Sequence, residues 1–414
     1  MANLFISKIK SLSFYEWILL LFPLCQVIGP FWVNFSLVLT SAIFLYELIK
    51  KNLYDKIKLN WIYFYLIFVF YNILHSFFAT DILNSLQSSF FQFRYLLFSL
   101  FIFLCISNAK NIEFIIKFWL VLVLSVSFDT IYQYFFLKNI FGLPIREATR
   151  LSGVFGKELI VGAFIAYTSV PIIFFYFKKF YNLNFKQKFF YSLIYLFLFT
   201  TVALTGERLS FLIFFVSSIL IFIFNTTFKK FIILSISLII LLTIIYFKSS
   251  SFNVRVKDFN NILLNFYDSS YGRLWESAYL LFEKNKIFGV GLKNYRVDCD
   301  NQIDPRPQSI PQFCSTHPHN FLLEILSETG LVGFSIFFIF FFYLILYLKK
   351  KIRYLKSHLI FKKYSHLLYG NILILLIYIW PLKTSGSFFT TWNGSFFWLN
   401  LGIALLITKG KNKN

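Results

Sequence analysis

The stretch "LVGFSIFFIFFFYLILYL", residues 331–348, decides the fold class because it runs without a single charged side chain. An uncharged apolar run of about 18 residues or more is long enough to cross a bilayer as an α-helix. Similar runs recur along the 414 residues, and 58% of the residues are hydrophobic. A typical soluble chain has about 45–50%. We therefore predict an all-α, polytopic membrane protein.

Twelve apolar segments predict about twelve transmembrane helices. We place them near residues 14–29, 31–49, 59–79, 90–107, 112–136, 159–177, 188–204, 209–225, 231–247, 319–348, 364–382 and 396–408. Lysine clusters fall in alternate connections, on the same side as both termini, and basic loops mark the cytoplasm. We therefore predict cytoplasmic termini. This distribution also argues against nucleic acid, which the net charge of +22 would otherwise suggest.

We expect one integral membrane domain, residues 1–414, with a large outer loop, residues 248–318, inserted between helices nine and ten. Part of this loop, "YGRLWESAYLLFEKNKIFGVGLKNY" at 271–295, has apolar residues at helical spacing followed by glycines. The pattern predicts a short amphipathic helix that ends near Gly289 and Gly291, with an apolar face that suits the outer leaflet.

Arginine is distributed differently from lysine. Seven of the nine arginines fall on the predicted outer side: Arg146, Arg150, Arg208, Arg255, Arg273, Arg296 and Arg306. The planar guanidinium binds phosphate or carboxylate through two parallel hydrogen bonds, which lysine does not reproduce. An anionic, phosphorylated ligand on the outer face is one interpretation. The other is that the arginines pair with outer acids such as Glu147, Glu158 and Asp258.

Two arginines, Arg208 and Arg94, lie at positions that restrict what they can contact. Arg208 lies in "LTGERLSF", a very short outer turn, where Glu207 either orients or neutralises it. Arg94 lies within the fourth span, where an unpaired charge costs several kcal/mol. It is therefore either ion-paired, with Asp129 as a candidate partner, or part of an anion site.

Two histidines stand at the outer end of the tenth span, in "HPHNFLLEILSETGLVG" at 317–333. Pro318 suits the first turn of a helix, so Ser315, Thr316 or His317 would cap it. The partial positive charge of a helix N-terminus attracts anions and disfavours imidazolium. We therefore predict a neutral His319 that is ready to accept a proton.

The same helix continues with further polar residues. Asn320 and Glu324 are four residues apart and so share a helix face. Gly330 and Gly333 then permit a bend or a close helix contact. Ionisable groups within a membrane helix usually mark function.

Cys299 and Cys314 share the outer loop, and an oxidising compartment makes them a disulfide candidate. A loop of about 15 residues closed in this way contributes roughly 3 kcal/mol.

Taken together, "TGER", "GRLWESAYLLFEKNKIFGVGLKNY" and "HPHNFLLEILSETGLVG" resemble the signature of the O-antigen ligase and Wzy polymerase superfamily, over residues 200–345. The resemblance implies a GT-C-like glycosyltransferase of the bacterial inner membrane that works without metal or other cofactor, with its active site facing the periplasm. It implies that His319 is catalytic and that Arg208 and Arg273 contact the undecaprenyl diphosphate of the donor. We add Asn320, Glu324, His317, Arg94, Arg150 and Arg296 as substrate-binding candidates.

We favour an O-antigen ligase that transfers a glycan from undecaprenyl diphosphate to lipid A–core, since the loop lies between spans nine and ten. The alternatives are a Wzy-type polymerase, whose acceptor is another lipid-linked glycan, and a protein O-oligosaccharyltransferase. From a different class, an anion or lipid transporter would distribute its charges through the depth of the membrane.

Overall fold

The regular structure of this chain is helical. A computed structural model describes residues 11–106, 111–180, 183–225, 228–303, 314–355, 359–384 and 386–409. Within them, three isolated β-bridges are the only extended pairings. The α-helices of these residues are α1 (Phe14–Ile28), α2 (Pro30–Lys50), α3 (Asn60–His75), α4 (Ile82–Phe90), α5 (Phe93–Cys105), α6 (Ile112–Phe136), α7 (Val161–Phe180), α8 (Phe185–Leu204), α9 (Arg208–Asn225), α10 (Phe228–Lys248), α11 (Ser250–Leu264), α12 (Ser270–Lys284), α13 (Tyr295–Gln302), α14 (Phe321–Leu355), α15 (Leu359–Tyr378) and α16 (Thr391–Ile407).

Every predicted apolar segment overlaps one of these helices, because a chain in lipid satisfies its backbone polar groups internally. Among the described residues, six helical segments are long and apolar enough to cross a membrane, or seven if the bent pair α10–α11 is one span. The six are Pro30–Lys50, Asn60–Phe78, Ile82–Cys105, Ile112–Phe136, Phe185–Leu204 and Phe321–Leu355. The count of twelve and the orientation remain predictions.

The predicted outer loop, 248–318, is largely helical where the structure describes it, since α11, α12 and α13 lie within it. Residues 304–313, including the predicted outer Arg306, lie outside the described residues. The periplasmic position of this loop also remains a prediction.

The chain divides into two compact units. The first comprises Met1–Trp32, Ile106–Asn261 and Lys363–Ile374, and so contains α1, α6 to α10 and most of α11. The second comprises Val33–Cys105, Ile262–Lys362 and Leu375–Asn414, and so contains α3 to α5, α12 to α14 and α16.

Aromatic side chains form much of the core of the second unit, where α3 packs along α14 and α16 packs along α5. The ring of Tyr65 lies 5.1 Å from that of Phe340 and 4.6 Å from that of Trp398, and all three side chains are buried. Offset and edge-on contacts of this kind add to the stabilisation that area burial provides. This core holds α14 in place.

Helix α14 is broken at Gly330, whose φ of 61° is left-handed. The predicted bend is thus confirmed. The break frees backbone groups, which pair with the segment 286–291 that follows α12. A Cβ on Gly330 would come within 2.4 Å of the Ile287 carbonyl oxygen, so this crossing needs glycine. Four N–H groups donate across it: Val290 to Ser327 (3.1 Å), Gly291 to Glu328 (2.8 Å), Leu331 to Lys286 (2.9 Å) and Val332 to Ile287 (3.1 Å).

The apolar face of α12 is covered by protein, not by lipid. Leu274, Ala278 and Leu281 are buried, and the last two pack in one cluster with Val290 and Tyr295. The prediction that this face meets the outer leaflet is therefore wrong. The predicted helix itself is confirmed, and its burial fixes the residues on its first turn.

Candidate functional site

Helix α14 begins later than the sequence suggested. Asn320 is its N-cap, because its Oδ1 accepts hydrogen bonds from the N–H groups of Leu322 (3.0 Å) and Leu323 (3.1 Å). The predictions that Ser315, Thr316 or His317 caps the helix, and that Pro318 lies in its first turn, are wrong. The physical reason is that His319 has φ 52°, so the helix does not extend back through it.

His319 occupies a conformation that costs energy. Left-handed backbone is uncommon for residues other than glycine, and such strain concentrates at functional sites. The ring of His319 lies 4.1 Å from that of His317, measured between centroids, and 6.1 Å from that of Tyr271, which it meets edge-on. His319 is half-buried.

Arg273 lies two residues beyond Tyr271 on the first turn of α12. Ser269 caps the helix by accepting from the Gly272 N–H (3.1 Å). The guanidinium lies 2.8 Å from Asp268 and 3.6 Å from Glu276. Since the Asp268 side chain is 77% exposed, its hold on Arg273 is screened by water, and an anionic ligand competes with it readily.

A buried ion pair, Lys293–Glu324, supports the start of α14. The Lys293 Nζ lies 3.7 Å from the Glu324 carboxylate, and both residues are buried. Glu324 also accepts from the Phe388 N–H (3.1 Å), and Lys293 donates to the Ser387 hydroxyl. The Glu324 carboxylate thus contacts other groups of the protein, and its contact with substrate remains a prediction.

Asn320 also makes several contacts with other groups of the protein. Besides capping α14, its Nδ2 donates to the Pro381 carbonyl (2.7 Å), and its backbone forms an isolated bridge with Thr384. The side chain is 3% exposed. Substrate binding by Asn320 also remains a prediction, whereas its effect on the backbone beside His319 is direct.

Glu328 lies one turn below Glu324 and is fully buried. The backbone N–H groups of Lys293 and Tyr295 face its carboxylate, but no well-formed hydrogen bond reaches either oxygen. Lys293 is therefore the cation shared by two buried carboxylates. The sequence contains one indication that Lys293 is buried, since this lysine directly follows the apolar run "IFGVGL".

Lys383 is a second buried lysine near the mouth of α14, in the loop that contacts Asn320. Its Nζ lies 3.7 Å from the centre of the Tyr378 ring. Burial lowers the pKa of this ammonium from 10.5 to about 7. A large part of the Lys383 population is thus neutral near physiological pH.

In the first unit, Arg208 pairs with Asp258 at 3.2 Å, as the ion-pair interpretation expected. Arg255 approaches the same carboxylate at 4.0 Å and donates through Nε to the Gly206 carbonyl (3.0 Å). Two guanidinium groups therefore share one acid. The sequence-based prediction included Arg255 only in the set of outer arginines and gave it no role of its own, although Asp258 follows it at i+3.

Glu207 neither orients nor neutralises its neighbour Arg208. Its carboxylate accepts from the N–H groups of Gly162 (2.6 Å) and Ala163 (3.0 Å) at the start of α7, and from the Ser210 hydroxyl. Burial raises the pKa of the Glu207 carboxyl, while the hydrogen bond from Ser210 opposes that rise. Glu207 thus ties the start of α9 to the N-terminus of α7.

Arg94 has polar but neutral hydrogen-bond partners in the second unit. Its guanidinium donates to Asn34 (2.6 Å) and Thr391 (3.1 Å), and it lies over the rings of Phe91 and Tyr95. No acidic partner of Arg94 occurs among the described residues. The absence of an acid among these partners favours the anion-site alternative.

The two remaining arginine candidates are less closely held. Arg150 donates to the Leu159 carbonyl (2.9 Å) and lies 3.9 Å from Glu147 in the first unit. Arg296 is exposed on α13 in the second unit. His317, His319 and Arg273 belong to the second unit, whereas Arg208 and Arg150 belong to the first.

A disulfide joins Cys299 on α13 to Cys314. Cys314 lies three residues before His317, and Cys299 is buried in the cluster beneath α12. The bond therefore anchors the chain just ahead of the histidine pair.

Comparison with known proteins agrees with the resemblance that these motifs carry. Residues 193–338 match the family model Wzy_C, described as O-antigen ligase. This stretch includes Arg208, Arg273 and His319. A search of curated proteins finds no matching relative of the whole chain. Over residues 193–338, this multi-pass membrane protein is therefore similar to the O-antigen ligase family, as its sequence motifs indicate.

Proposed function

We propose that the protein is an O-antigen ligase that transfers a glycan from undecaprenyl diphosphate to a hydroxyl of lipid A–core on the periplasmic face of the inner membrane. The observation that carries the proposal is the left-handed His319 at the start of α14, with Tyr271 against its ring and Arg273 on the same turn as Tyr271. Residues 193–338, which match the O-antigen ligase family model, include both side chains, and in the proposal His319 is the base and Arg273 binds phosphate.

In the proposed reaction, the His319 imidazole takes the proton of the acceptor hydroxyl as its oxygen attacks the anomeric carbon. The bond from that carbon to the diphosphate oxygen breaks, and undecaprenyl diphosphate leaves with the electron pair. Attack from the face opposite the leaving group inverts the anomeric configuration. A positioned base of this kind contributes roughly 10²–10⁴ in rate.

Arg208 and Arg273 stabilise the charge that grows on the leaving diphosphate. The energy for the transfer comes from the glycosyl diphosphate bond itself, so ATP is not required outside the cytoplasm. Removing one donor from such a charge-stabilising site costs on the order of 10²–10³ in rate.

The test is the lipopolysaccharide ladder of a strain from which the gene is deleted. The ligase proposal predicts that the polymer disappears from the core while long lipid-linked chains accumulate. Wild-type complementation restores the ladder, and His319→Ala does not. A single repeat unit attached to the core in the deletion strain identifies a polymerase and overturns the ligase proposal.

A further inference from the structure

The chain changes from charged to apolar where helix α14 crosses the segment that follows α12. In that segment, "EKNK" at 283–286 is followed by "IFGVGL", which has no charged residue. In α14, the uncharged run 331–348 begins directly after the break at Gly330. Because the Leu331 N–H donates to the Lys286 carbonyl (2.9 Å), the two changes lie side by side in the second unit.

Three large apolar side chains are exposed at this crossing, and we call them the crossing patch. They are Ile287, Phe288 and Leu331, with exposed fractions of 59%, 55% and 49%. The Phe288 ring lies 6.3 Å from that of His75 on α3. Leu331 is also the first member of an exposed apolar stripe along the membrane-spanning part of α14, which continues through Ile339, Phe342 and Leu346. A cluster of exposed apolar side chains often marks a surface that contacts a membrane or a partner.

The backbone at the crossing is irregular, but its polar groups are paired within the protein. The Gly289 N–H donates to the Asn285 carbonyl (2.9 Å), and the N–H groups of the next two residues donate to α14. The Tyr71 hydroxyl on α3 shares its proton between the Phe288 and Thr329 carbonyls, at 3.0 and 2.8 Å. Non-helical backbone tolerates a hydrocarbon environment only where its polar groups are satisfied in this way. The crossing therefore meets the requirement for contact with lipid.

We propose that the crossing patch is a membrane anchor, in which Ile287 and Phe288 insert beside Leu331 at the boundary between lipid headgroups and acyl chains. Lys286 then lies on the headgroup side, where the stem of a lysine covers apolar surface while its ammonium stays among polar groups. A partner protein fits less well, because three side chains offer far less than the roughly 1,000 Å² that a specific interface buries. The anchor is independent of the reaction proposed above. It holds the segment between α12, which carries Arg273, and α13 at the surface of the bilayer.

Photocrosslinking tests the contact with lipid. The photoreactive residue p-benzoylphenylalanine replaces Phe288 in the full chain, in nanodiscs of phosphatidylcholine with radiolabelled acyl chains. The matched control replaces Tyr279, which is 50% exposed but lies on α12 beside Glu283. We expect lipid labelling at position 288 to exceed that at 279 about tenfold or more, since an aromatic side chain prefers an apolar phase to water by at least that factor. Equal labelling at the two positions, or a chain-to-chain adduct in place of the lipid adduct, overturns the proposal.

Reaction with a sulfonated, membrane-impermeant maleimide measures access to water at the same positions. Phe288→Cys and Tyr279→Cys are compared in a chain whose free cysteines, Cys25 and Cys105, are replaced by alanine. We expect Phe288→Cys to react about tenfold more slowly than Tyr279→Cys in nanodiscs, and at a similar rate after unfolding in detergent. Similar rates in nanodiscs contradict the anchor. Ile287→Cys gives the same expectation and replaces Phe288→Cys if size-exclusion chromatography shows that variant to be unfolded.

Discussion

Replacing Lys293 by methionine removes a cation that faces two buried carboxylates, Glu324 and Glu328. The Lys293 and Glu324 side chains are 8% and 2% exposed and lie 3.7 Å apart. At an effective dielectric constant of about 20, two unit charges at this distance attract by roughly 4 kcal/mol. Loss of one partner from a buried pair costs about 3–5 kcal/mol. We therefore expect Lys293→Met to lower the free energy of unfolding by on the order of 3–5 kcal/mol.

Thermal unfolding of the purified protein in nanodiscs, followed by tryptophan fluorescence at pH 7, measures this loss. The double variant Lys293→Met/Glu324→Gln should regain part of the lost stability, because it also removes the charge stranded on Glu324, while Glu328 still lacks its cation. Lys286→Met is the matched control, since its partner Glu283 is exposed and such pairs contribute about 1 kcal/mol or less. If Lys293→Met unfolds at the same temperature as Lys286→Met, the reasoning about the buried pair is refuted.

The double variant also decides what Glu324 does. A folded double variant that transfers glycan at the wild-type rate assigns Glu324 a structural role. A folded double variant without activity restores the prediction that Glu324 contacts substrate.

Three further outcomes test the fold around the site. Cys314→Ser should destabilise the folded state by roughly 3 kcal/mol, because it opens a loop of about 15 residues, and it should abolish the shift in gel mobility on reduction. The pKa of Lys383 is about 7 in the folded state and about 10.5 in an exposed lysine of the unfolded chain. Between these two pH values, the unfolded chain therefore binds a proton that the folded chain does not. Stability should therefore rise with pH from about 7 towards 10 and be flat below 7, and Lys383→Met should remove the slope in melting temperature between pH 7 and 9. Gly330→Ala should prevent accumulation of folded protein, as seen by size-exclusion chromatography, since its Cβ would collide with the backbone at Ile287; a folded variant would contradict the close crossing.

The positions of the helices could be predicted from hydropathy, because lipid leaves an apolar chain little alternative to helix. The predicted span 112–136 coincides with α6. The prediction missed one helix because its sequence is polar. This helix is α4, whose sequence "ILNSLQSSF" is rich in serine and amide residues. Asp81 caps its N-terminus.

The candidate site was less predictable, because its contacts join distant parts of the chain. Asn320 was placed at the mouth of α14, but the left-handed backbone of His319 and the hydrogen bond from Asn320 to the Pro381 carbonyl were not visible in the local sequence. The partner of Glu324 lies 31 residues earlier, in a loop without a helical pattern. Local spacing therefore identified these residues but not the contacts that hold them.

The central claim is that the His319 imidazole is the base in glycan transfer. Its most direct test is the transfer rate of purified His319→Ala from a lipid-linked donor to lipid A–core, with His317→Ala as the matched control. We expect the first to lose on the order of 10²–10⁴ in rate while remaining folded, and the second to lose much less. A folded His319→Ala variant that retains the wild-type rate would contradict the account.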